Sequence, residues 1–174
     1  TLFCWPEPDE TMHMQGAVGE AAAREVARLD AWAEALSGKL RDTTLIVTAD
    51  HGLTDVDETV FLNDHPAILL LMIMPPSVEP RAASLFVKRG REREFERAFS
   101  DVLGGDFLLM PREALISRGI FGPGALHDKA DDFLGDYMAL ATGAKAVRYR
   151  PEGGAPYPKM LAQHAGLTED EMLV

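Results

Sequence analysis

The sequence has few of the residues that mark a disulfide-rich or membrane-spanning protein. Cys4 is its one cysteine, so no disulfide can form within the chain, and its apolar neighbours predict a small buried side chain. A lone cysteine also favours a reducing compartment, the cytoplasm. The longest apolar run, residues 67–74, is far shorter than the roughly 20 residues that a membrane-spanning helix needs. We therefore expect no contact with a membrane.

Positive charge is scarce as well. The formal net charge is −11 at pH 7, and the lysines and arginines alternate with acidic residues instead of forming a basic cluster. A nucleic-acid-binding protein presents a basic face to the phosphates, so we expect no stable binding of nucleic acid. An acidic protein that handles phosphate esters needs bound cations to offset the repulsion between like charges.

Composition and periodicity indicate one domain of the α/β class. Apolar residues make up 47% and charged residues 26% of the 174 residues, an ordinary balance for a single folded domain. Continuous apolar and β-branched runs predict strands at residues 2–5, 44–48, 83–87, 107–110, 137–142 and 146–149. Helical spacing and capping signals predict helices at residues 17–40, 92–103, 111–116 and 168–173. Strands that alternate with helices predict a largely parallel sheet sandwiched by helices.

Two patches near predicted strand ends carry residues of the types that bind metals. Asp9 and His13 are four apart, so a helical turn would place both side chains on one face. On its own, this spacing also fits a helix-capping aspartate and a surface histidine. Asp50 and His51 follow a predicted buried strand directly, a position where an unpartnered carboxylate would be costly. This second patch favours a functional role.

His164 forms a third patch, before a turn of small residues and a predicted helix. By itself, a histidine here also fits an ordinary surface residue. The other two histidines are weaker candidates, because His65 lies in a turn before a proline and His127 lies in a highly charged loop. Open α/β sheets place their active sites where strands end. The candidate metal ligands are therefore Asp9, His13, Asp50, His51 and His164.

Taken in order, these patches resemble the type I phosphodiesterase/nucleotide pyrophosphatase family of the alkaline phosphatase superfamily. The resemblance begins with the D-x-x-x-H segment at 9–13, continues with D-T-T-L-I-V-T-A-D-H-G at 42–52, and ends with H-A-G-L-T-E-D-E-M-L-V at 164–174. Between them, E-P-R-A-A-S-L-F-V-K-R-G at 79–90 and F-L-G-D-Y-M-A-L-A-T-G at 133–143 also match. The resemblance thus spans essentially the whole chain, and the combination is more specific than any one piece.

The resemblance implies an alkaline-phosphatase-like fold with a centre of two divalent metal ions. Zinc is the expected metal, and manganese is the alternative. Asp9, His13 and His164 would bind one ion, and Asp50 and His51 would bind the other. In the family, an earlier aspartate and a Thr or Ser nucleophile complete the site of the second ion. The implied activity is metal-dependent hydrolysis of a phosphodiester or nucleotide pyrophosphate, with a small phosphodiester or nucleotide as substrate.

The chain departs from the family pattern in two places. The family has glycine after its late histidine, whereas this chain has Ala165, which adds one methyl group to that turn. Only eight residues precede Asp9, too few for the family's first aspartate, its nucleophile strand and the helix that follows. We therefore expect residues 1–174 to be the C-terminal part of a single catalytic domain that is incomplete at its N-terminal side. Lacking the nucleophile, the chain should be inactive alone.

Other functions fit the same residues. A non-catalytic or degenerate metal-binding fragment would keep the fold without turnover, and a mononuclear hydrolase would use Asp9, His13 and His164 alone. Phosphomonoesterases of the superfamily have a related arrangement of metal ligands. Cofactor-independent phosphoglycerate mutases carry an inserted domain that 174 residues cannot hold. Sulfatases depend on a modified-cysteine signature that would lie upstream.

Overall fold

Helices are interspersed with strands along residues 1–155 and 157–173, the part of the chain that the computed structural model describes. The helices are α1 (Asp9–Gln15), α2 (Glu20–Ser37), α3 (Pro66–Leu69), α4 (Glu92–Leu103), α5 (Arg112–Ser117), α6 (Ala130–Phe133) and α7 (Glu169–Met172), with a 3-10 turn at Leu62–Asp64. The strands are β1 (Thr54–Asp55), β2 (Glu58–Phe61), β3 (Ser77–Glu79), β4 (Ala82–Leu85), β5 (Phe107–Pro111), β6 (Tyr137–Ala141), β7 (Lys145–Arg148) and β8 (Ala162–Gln163). This order confirms the predicted α/β class. None of these helices is both long and apolar enough to cross a membrane.

The sheets in the described residues are small and mixed in direction. The largest has the strand order β3-β4-β6-β5, and all of its neighbouring strands are antiparallel. β2 and β7 pair in parallel, with Thr59 opposite Ala146, and β1 pairs with β8 in antiparallel. The prediction of a largely parallel sheet sandwiched by helices is therefore not confirmed, and is corrected to this mixed arrangement.

The burial of β6 explains why the apolar pattern misled the prediction of strand direction. Every residue of β6 is buried. Tyr137 faces a core that contains Phe95 and Phe99 of α4, whereas Met138 faces a second core that contains Leu115 of α5. A strand covered on both faces has an unbroken apolar sequence whichever way its neighbours run. The apolar run therefore predicted burial but carried no information on direction.

Elements that pack on these two cores lie close to where the sequence predicts them. α4 begins and ends as predicted, because Phe95, Phe99 and Leu103 recur at helical spacing and are all buried. β4, β5, β6 and β7 differ from their predicted ranges by a residue or two at their ends. The helix predicted at 17–40 is α2, which is shorter at both ends.

Two predicted strands are not paired in the described structure. Residues 2–5 and 44–48 belong to no strand ladder, and Leu2 and Ile46 are 93% and 81% exposed. Cys4 is exposed as well, so the prediction that it is buried is wrong. A strand needs a neighbour for its backbone hydrogen bonds, and in the described residues these two segments have none.

The first helix packs on the C-terminal end of the chain, and this contact builds the candidate site. α1 lies against β8, where the Leu161 N–H donates to the carbonyl of His13 at 2.7 Å. β8 pairs with β1, which brings Thr54 opposite Gln163. The three sequence patches with metal-binding residues therefore meet at one place.

Candidate metal centre

His13 is held on α1 with one ring nitrogen open to a ligand. Its Nδ1 lies 2.7 Å from the carbonyl oxygen of Ala162. A carbonyl only accepts, so this Nδ1 carries the hydrogen and donates it. Nε2 therefore keeps its lone pair, and it lies 3.4 Å from Oδ1 of Asp9, one helical turn earlier. Metal-binding histidines are commonly oriented by such a hydrogen bond from the other ring nitrogen.

His51 and His164 come from separate loops and meet face to face. Their ring centroids are 3.9 Å apart with an interplanar angle of 26°. The ring centroid of His13 lies 5.2 Å from that of His164. The His51 loop is anchored on α7, since the Gly52 N–H donates to the carbonyl of Glu171 at 3.1 Å. Three imidazoles therefore share one small volume.

Asp9 shows that the site fits a cation. Its Oδ1 is buried and has no hydrogen-bond partner among the described residues. Asp9, His51 and His164 each offer a ligand atom, and these atoms all lie within 4.8 Å of one another. A carboxylate oxygen withdrawn from water without a donor is costly, and a bound cation would remove that cost. Imidazoles and a carboxylate without thiolate suit zinc, and manganese is a permissible second choice.

The surroundings of His164 favour the neutral form of its ring. Burial of the ring is the main cause that lowers the pKa of His164 from its ordinary value of 6.5, and the neighbouring His51 and His13 add to the effect. The carboxylates of Glu79 and Asp9 act in the opposite direction without outweighing it. Metal ions bind the neutral imidazole, so a lowered pKa keeps this ring available for binding.

The structure brings four of the five predicted ligands together: Asp9, His13, His51 and His164. The fifth, Asp50, lies at the edge of this group. Its side chain is 91% exposed, and its Oδ2 is 3.8 Å from Nε2 of His51. The stacking of His51 on His164 means that the two ligand sets expected from the sequence adjoin each other. Their division between two ions stays a prediction.

The remaining histidines serve turns and loops, in line with the sequence prediction. The carbonyl of His65 accepts a hydrogen bond from the Ile68 N–H at 3.0 Å, at the start of α3. The Nδ1 of His127 accepts a hydrogen bond from the Lys129 N–H at 3.1 Å within an exposed loop. Neither belongs to the group of side chains in the described residues that could hold a metal ion.

Sequence reasoning missed two residues next to the centre, Arg81 and Glu171. Their side chains are 0% and 1% exposed, and Nε of Arg81 lies 2.6 Å from Oε1 of Glu171. In the sequence, Glu171 follows Thr168 by three residues, a spacing that predicts only a helix cap, and Arg81 matches no metal-binding pattern. A signal was present, because Arg81 directly precedes the apolar strand β4, where a charged residue needs a buried partner.

The turn after His164 explains why glycine is usual at the next position. Ala165 has a φ of 78°, in the left-handed region. This region costs a non-glycine residue roughly 1–2 kcal/mol, a cost that glycine would remove. Glycine also makes the unfolded chain more flexible, which lowers the free energy of unfolding by about 0.4–1 kcal/mol. We therefore expect Ala165→Gly to raise the free energy of unfolding by up to about 1 kcal/mol, measured by urea denaturation.

A helical alanine provides the control for this substitution. Ala98 lies within α4, so Ala98→Gly should lower the free energy of unfolding by about 1 kcal/mol. A loss of stability in both variants would show that Ala165 is not strained.

The chain was compared with models of known families and with curated proteins. The model of the family described as type I phosphodiesterase/nucleotide pyrophosphatase matches residues 1–158. The comparison with curated proteins finds no match.

Solved structures share the fold at low sequence identity. Murine ectonucleotide pyrophosphatase/phosphodiesterase 5 has a TM-score of 0.64 at 19% identity, and the human protein has a TM-score of 0.61 at 18%. Phosphonoacetate hydrolase from Sinorhizobium meliloti 1021, in complex with phosphonoformate, has a TM-score of 0.55 at 22% identity. These alignments cover 93% or 94% of this chain but only 41% or 42% of those chains, so this chain spans about two fifths of their length. With the family model matched over most of its residues, the chain belongs to the type I phosphodiesterase/nucleotide pyrophosphatase family.

Proposed function

We propose that this chain supplies metal ligands to the active centre of a hydrolase that cleaves phosphodiesters or nucleotide pyrophosphates. The observation that carries the proposal is the convergence of Asp9, His51 and His164, whose ligand atoms lie within 4.8 Å of one another. His13 adjoins them at 3.4 Å from Asp9. The buried Oδ1 of Asp9, which has no hydrogen-bond partner within residues 1–155 and 157–173, supports a cation at this place, and membership of the family supports phosphoryl chemistry.

The proposed ligands fall into two sets, one for each zinc ion, with manganese as the second choice: Asp9, His13 and His164, and Asp50 with His51. Bound divalent ions would stabilise the negative charge on a phosphoryl group. They would also offset the repulsion that a net charge of −11 imposes on a phosphate ester. The protein would orient the metal ligands. The hydrogen bond from His13 to the Ala162 carbonyl, for example, orients Nε2 toward Asp9.

We further propose that polypeptide outside these 174 residues completes the centre and carries the nucleophile. Phe3 and Val47, in the two unpaired predicted strands, are both 73% exposed. Exposed apolar side chains next to unpaired backbone mark a surface that another strand covers. The solved structures of the same fold are more than twice as long, which leaves room for that segment. Asp50, at 91% exposed, remains accessible to a ligand set that such a segment would complete.

The substrate we propose is a small phosphodiester or nucleotide. The family description names both classes. An inactive variant of murine ectonucleotide pyrophosphatase/phosphodiesterase 5 was solved in complex with AMP, and phosphonoacetate hydrolase was solved with phosphonoacetate. These complexes belong to those proteins, and they support a compact phosphorus-containing ligand for this one.

Zinc binding by the chain is the experiment that tests the proposed site. Titration calorimetry and elemental analysis of the purified chain should show at least one bound zinc per chain. A single-ion site is the second candidate function, because Asp9, His51 and His164 form one compact set. Two bound ions in the completed domain support the paired centre, and one supports the single-ion hydrolase. A chain that binds no zinc contradicts both.

The chain alone, supplied with zinc, is expected to show no saturable turnover of an activated aryl phosphodiester. The reason is that its threonines do not lie in the nucleophile context of the family. Release of the coloured aryl leaving group measures the rate, with a complete family member as the positive control. Saturable turnover by the chain alone would show that its nucleophile lies within these residues.

A further inference from the structure

We propose that the buried ion pair between Arg81 and Glu171 is a positioning device that holds the His51 loop and the His164 loop together for metal binding. This inference rests on the metal site described above. Arg81 and Glu171 are positioning residues, because their contacts are with the loops and not with a metal or a substrate. Their role follows from three sets of contacts, taken in turn.

The pair itself is closed to water, with side chains 0% and 1% exposed, and every nitrogen of the guanidinium donates a hydrogen bond. Nε and Nη2 of Arg81 donate to the two carboxylate oxygens of Glu171 at 2.6 and 2.7 Å. Nη1 donates to the carbonyl of Lys145 at 2.8 Å, and Nη2 also donates to the carbonyl of Gly143 at 2.9 Å. Arg81 therefore holds Glu171 in one orientation next to the start of β7.

The Glu171 carboxylate accepts hydrogen bonds from the loop that carries His164. The Gly166 N–H donates to Oε1 at 2.7 Å, and the Thr168 hydroxyl donates to Oε2 at 2.6 Å. Gly166 lies so close that a Cβ there would meet Oε2 at 2.6 Å and Oε1 at 2.8 Å. The two contacts lie two and four residues after His164, and they set the path of its turn.

The backbone carbonyl of Glu171 accepts a hydrogen bond from the loop that carries His51. The Gly52 N–H donates to the carbonyl of Glu171 at 3.1 Å. A Cβ on Gly52 would meet the carbonyl oxygen of Asp170 at 1.9 Å, so this loop touches the α7 backbone where only glycine fits. One residue thus binds both loops, and the two histidine rings that they carry stack with centroids 3.9 Å apart.

A role in positioning accounts for the pair better than a role in stability. Taking two charges out of water largely cancels their attraction, so a buried ion pair adds little net stability compared with well-packed apolar residues. The pair does require one exact geometry, because the buried Glu171 carboxylate needs all of its hydrogen-bond donors in place. Residues that orient metal ligands change metal affinity by roughly 10–100-fold when altered.

The test measures zinc affinity in Glu171→Gln, which keeps the size of the side chain and removes its charge. We expect the zinc dissociation constant to rise by roughly 10–100-fold while cooperative unfolding is retained. Ser84→Ala is the matched control, since Ser84 is also 0% exposed and its hydroxyl joins Phe133 and Gly135, away from both histidine loops. Ser84→Ala should lower stability and leave zinc affinity unchanged. Equal zinc affinity in Glu171→Gln and the wild type would overturn the proposal.

A measurement without metal separates this inference from the proposed function. In the metal-free chain, hydrogen exchange of the Gly52 and Gly166 amides should become faster by at least tenfold in Glu171→Gln, and stay unchanged in Ser84→Ala. If the wild-type chain binds no zinc, the proposed function fails, and this exchange experiment decides the positioning role alone. Faster exchange at both amides supports it, and unchanged exchange at either amide overturns it.

Discussion

His164→Ala is expected to weaken zinc binding by more than about 100-fold, because changes in residues that merely orient metal ligands already weaken binding by roughly 10–100-fold. The His164 ring stacks on that of His51 at 3.9 Å and lies 5.2 Å from that of His13. Its loss removes one of the three converging ligand atoms, which belong to Asp9, His51 and His164. Titration calorimetry with zinc, at a pH above the histidine range, measures the effect.

His127→Ala is the matched control for this prediction. It also removes one imidazole, but from an exposed loop in which Nδ1 accepts a hydrogen bond from the Lys129 N–H. Its zinc affinity should equal that of the wild type, and circular dichroism should show both variants folded. Equal zinc affinities for His164→Ala and His127→Ala would remove His164 from the metal centre, and with it the central claim about this site.

Arg81→Met is expected to lower the free energy of unfolding by about 3–5 kcal/mol, measured by urea denaturation at neutral pH. The substitution leaves the Glu171 carboxylate, only 1% exposed, without its cationic partner. It also removes donors from the carbonyls of Lys145 and Gly143. Because domains of this size are stable by only about 5–15 kcal/mol, this is among the largest effects that one substitution can have.

The pH dependence of this loss distinguishes a charge effect from a packing effect. Burial alone would raise the pKa of Glu171, but hydrogen bonds from Arg81 and Thr168 outweigh it and lower the pKa below the ordinary 4.5. The stabilisation from a lowered pKa is complete above 4.5 and is lost as the pH falls through the folded-state pKa. The deficit of Arg81→Met should therefore shrink in acid. A deficit that is constant with pH would indicate lost packing alone.

A surface ion pair supplies the control for Arg81→Met. Arg24 lies 3.7 Å from Glu20, with side chains 70% and 96% exposed. Exposed pairs contribute little, because water and salt screen them. Arg24→Met should leave the denaturation midpoint unchanged, and a large shift there would show that the loss at Arg81 does not depend on burial.

Local structure followed from the sequence wherever one element's own pattern decides it. The spacing of Phe95 and Phe99 predicted α4, since a helix buries every third or fourth residue on one face. The spacing of Asp9 and His13 predicted a shared helical face, and the structure places Oδ1 and Nε2 3.4 Å apart. Strand direction did not follow, because an apolar run reports burial and is the same for parallel and antiparallel neighbours. The strand predicted at 44–48 did not form in the described residues, because pairing requires a neighbour.

The sequence by itself determined which side chains are able to bind a divalent metal, because ligand chemistry belongs to the residue type and helical spacing to a single turn. Only the tertiary structure decided that the rings of His51 and His164 stack. It also decided that His13 donates to a carbonyl 149 positions away, and that Arg81 pairs with a carboxylate 90 positions away. Such contacts depend on how distant segments close on one another through a shared core, and no pattern within one segment specifies that closure.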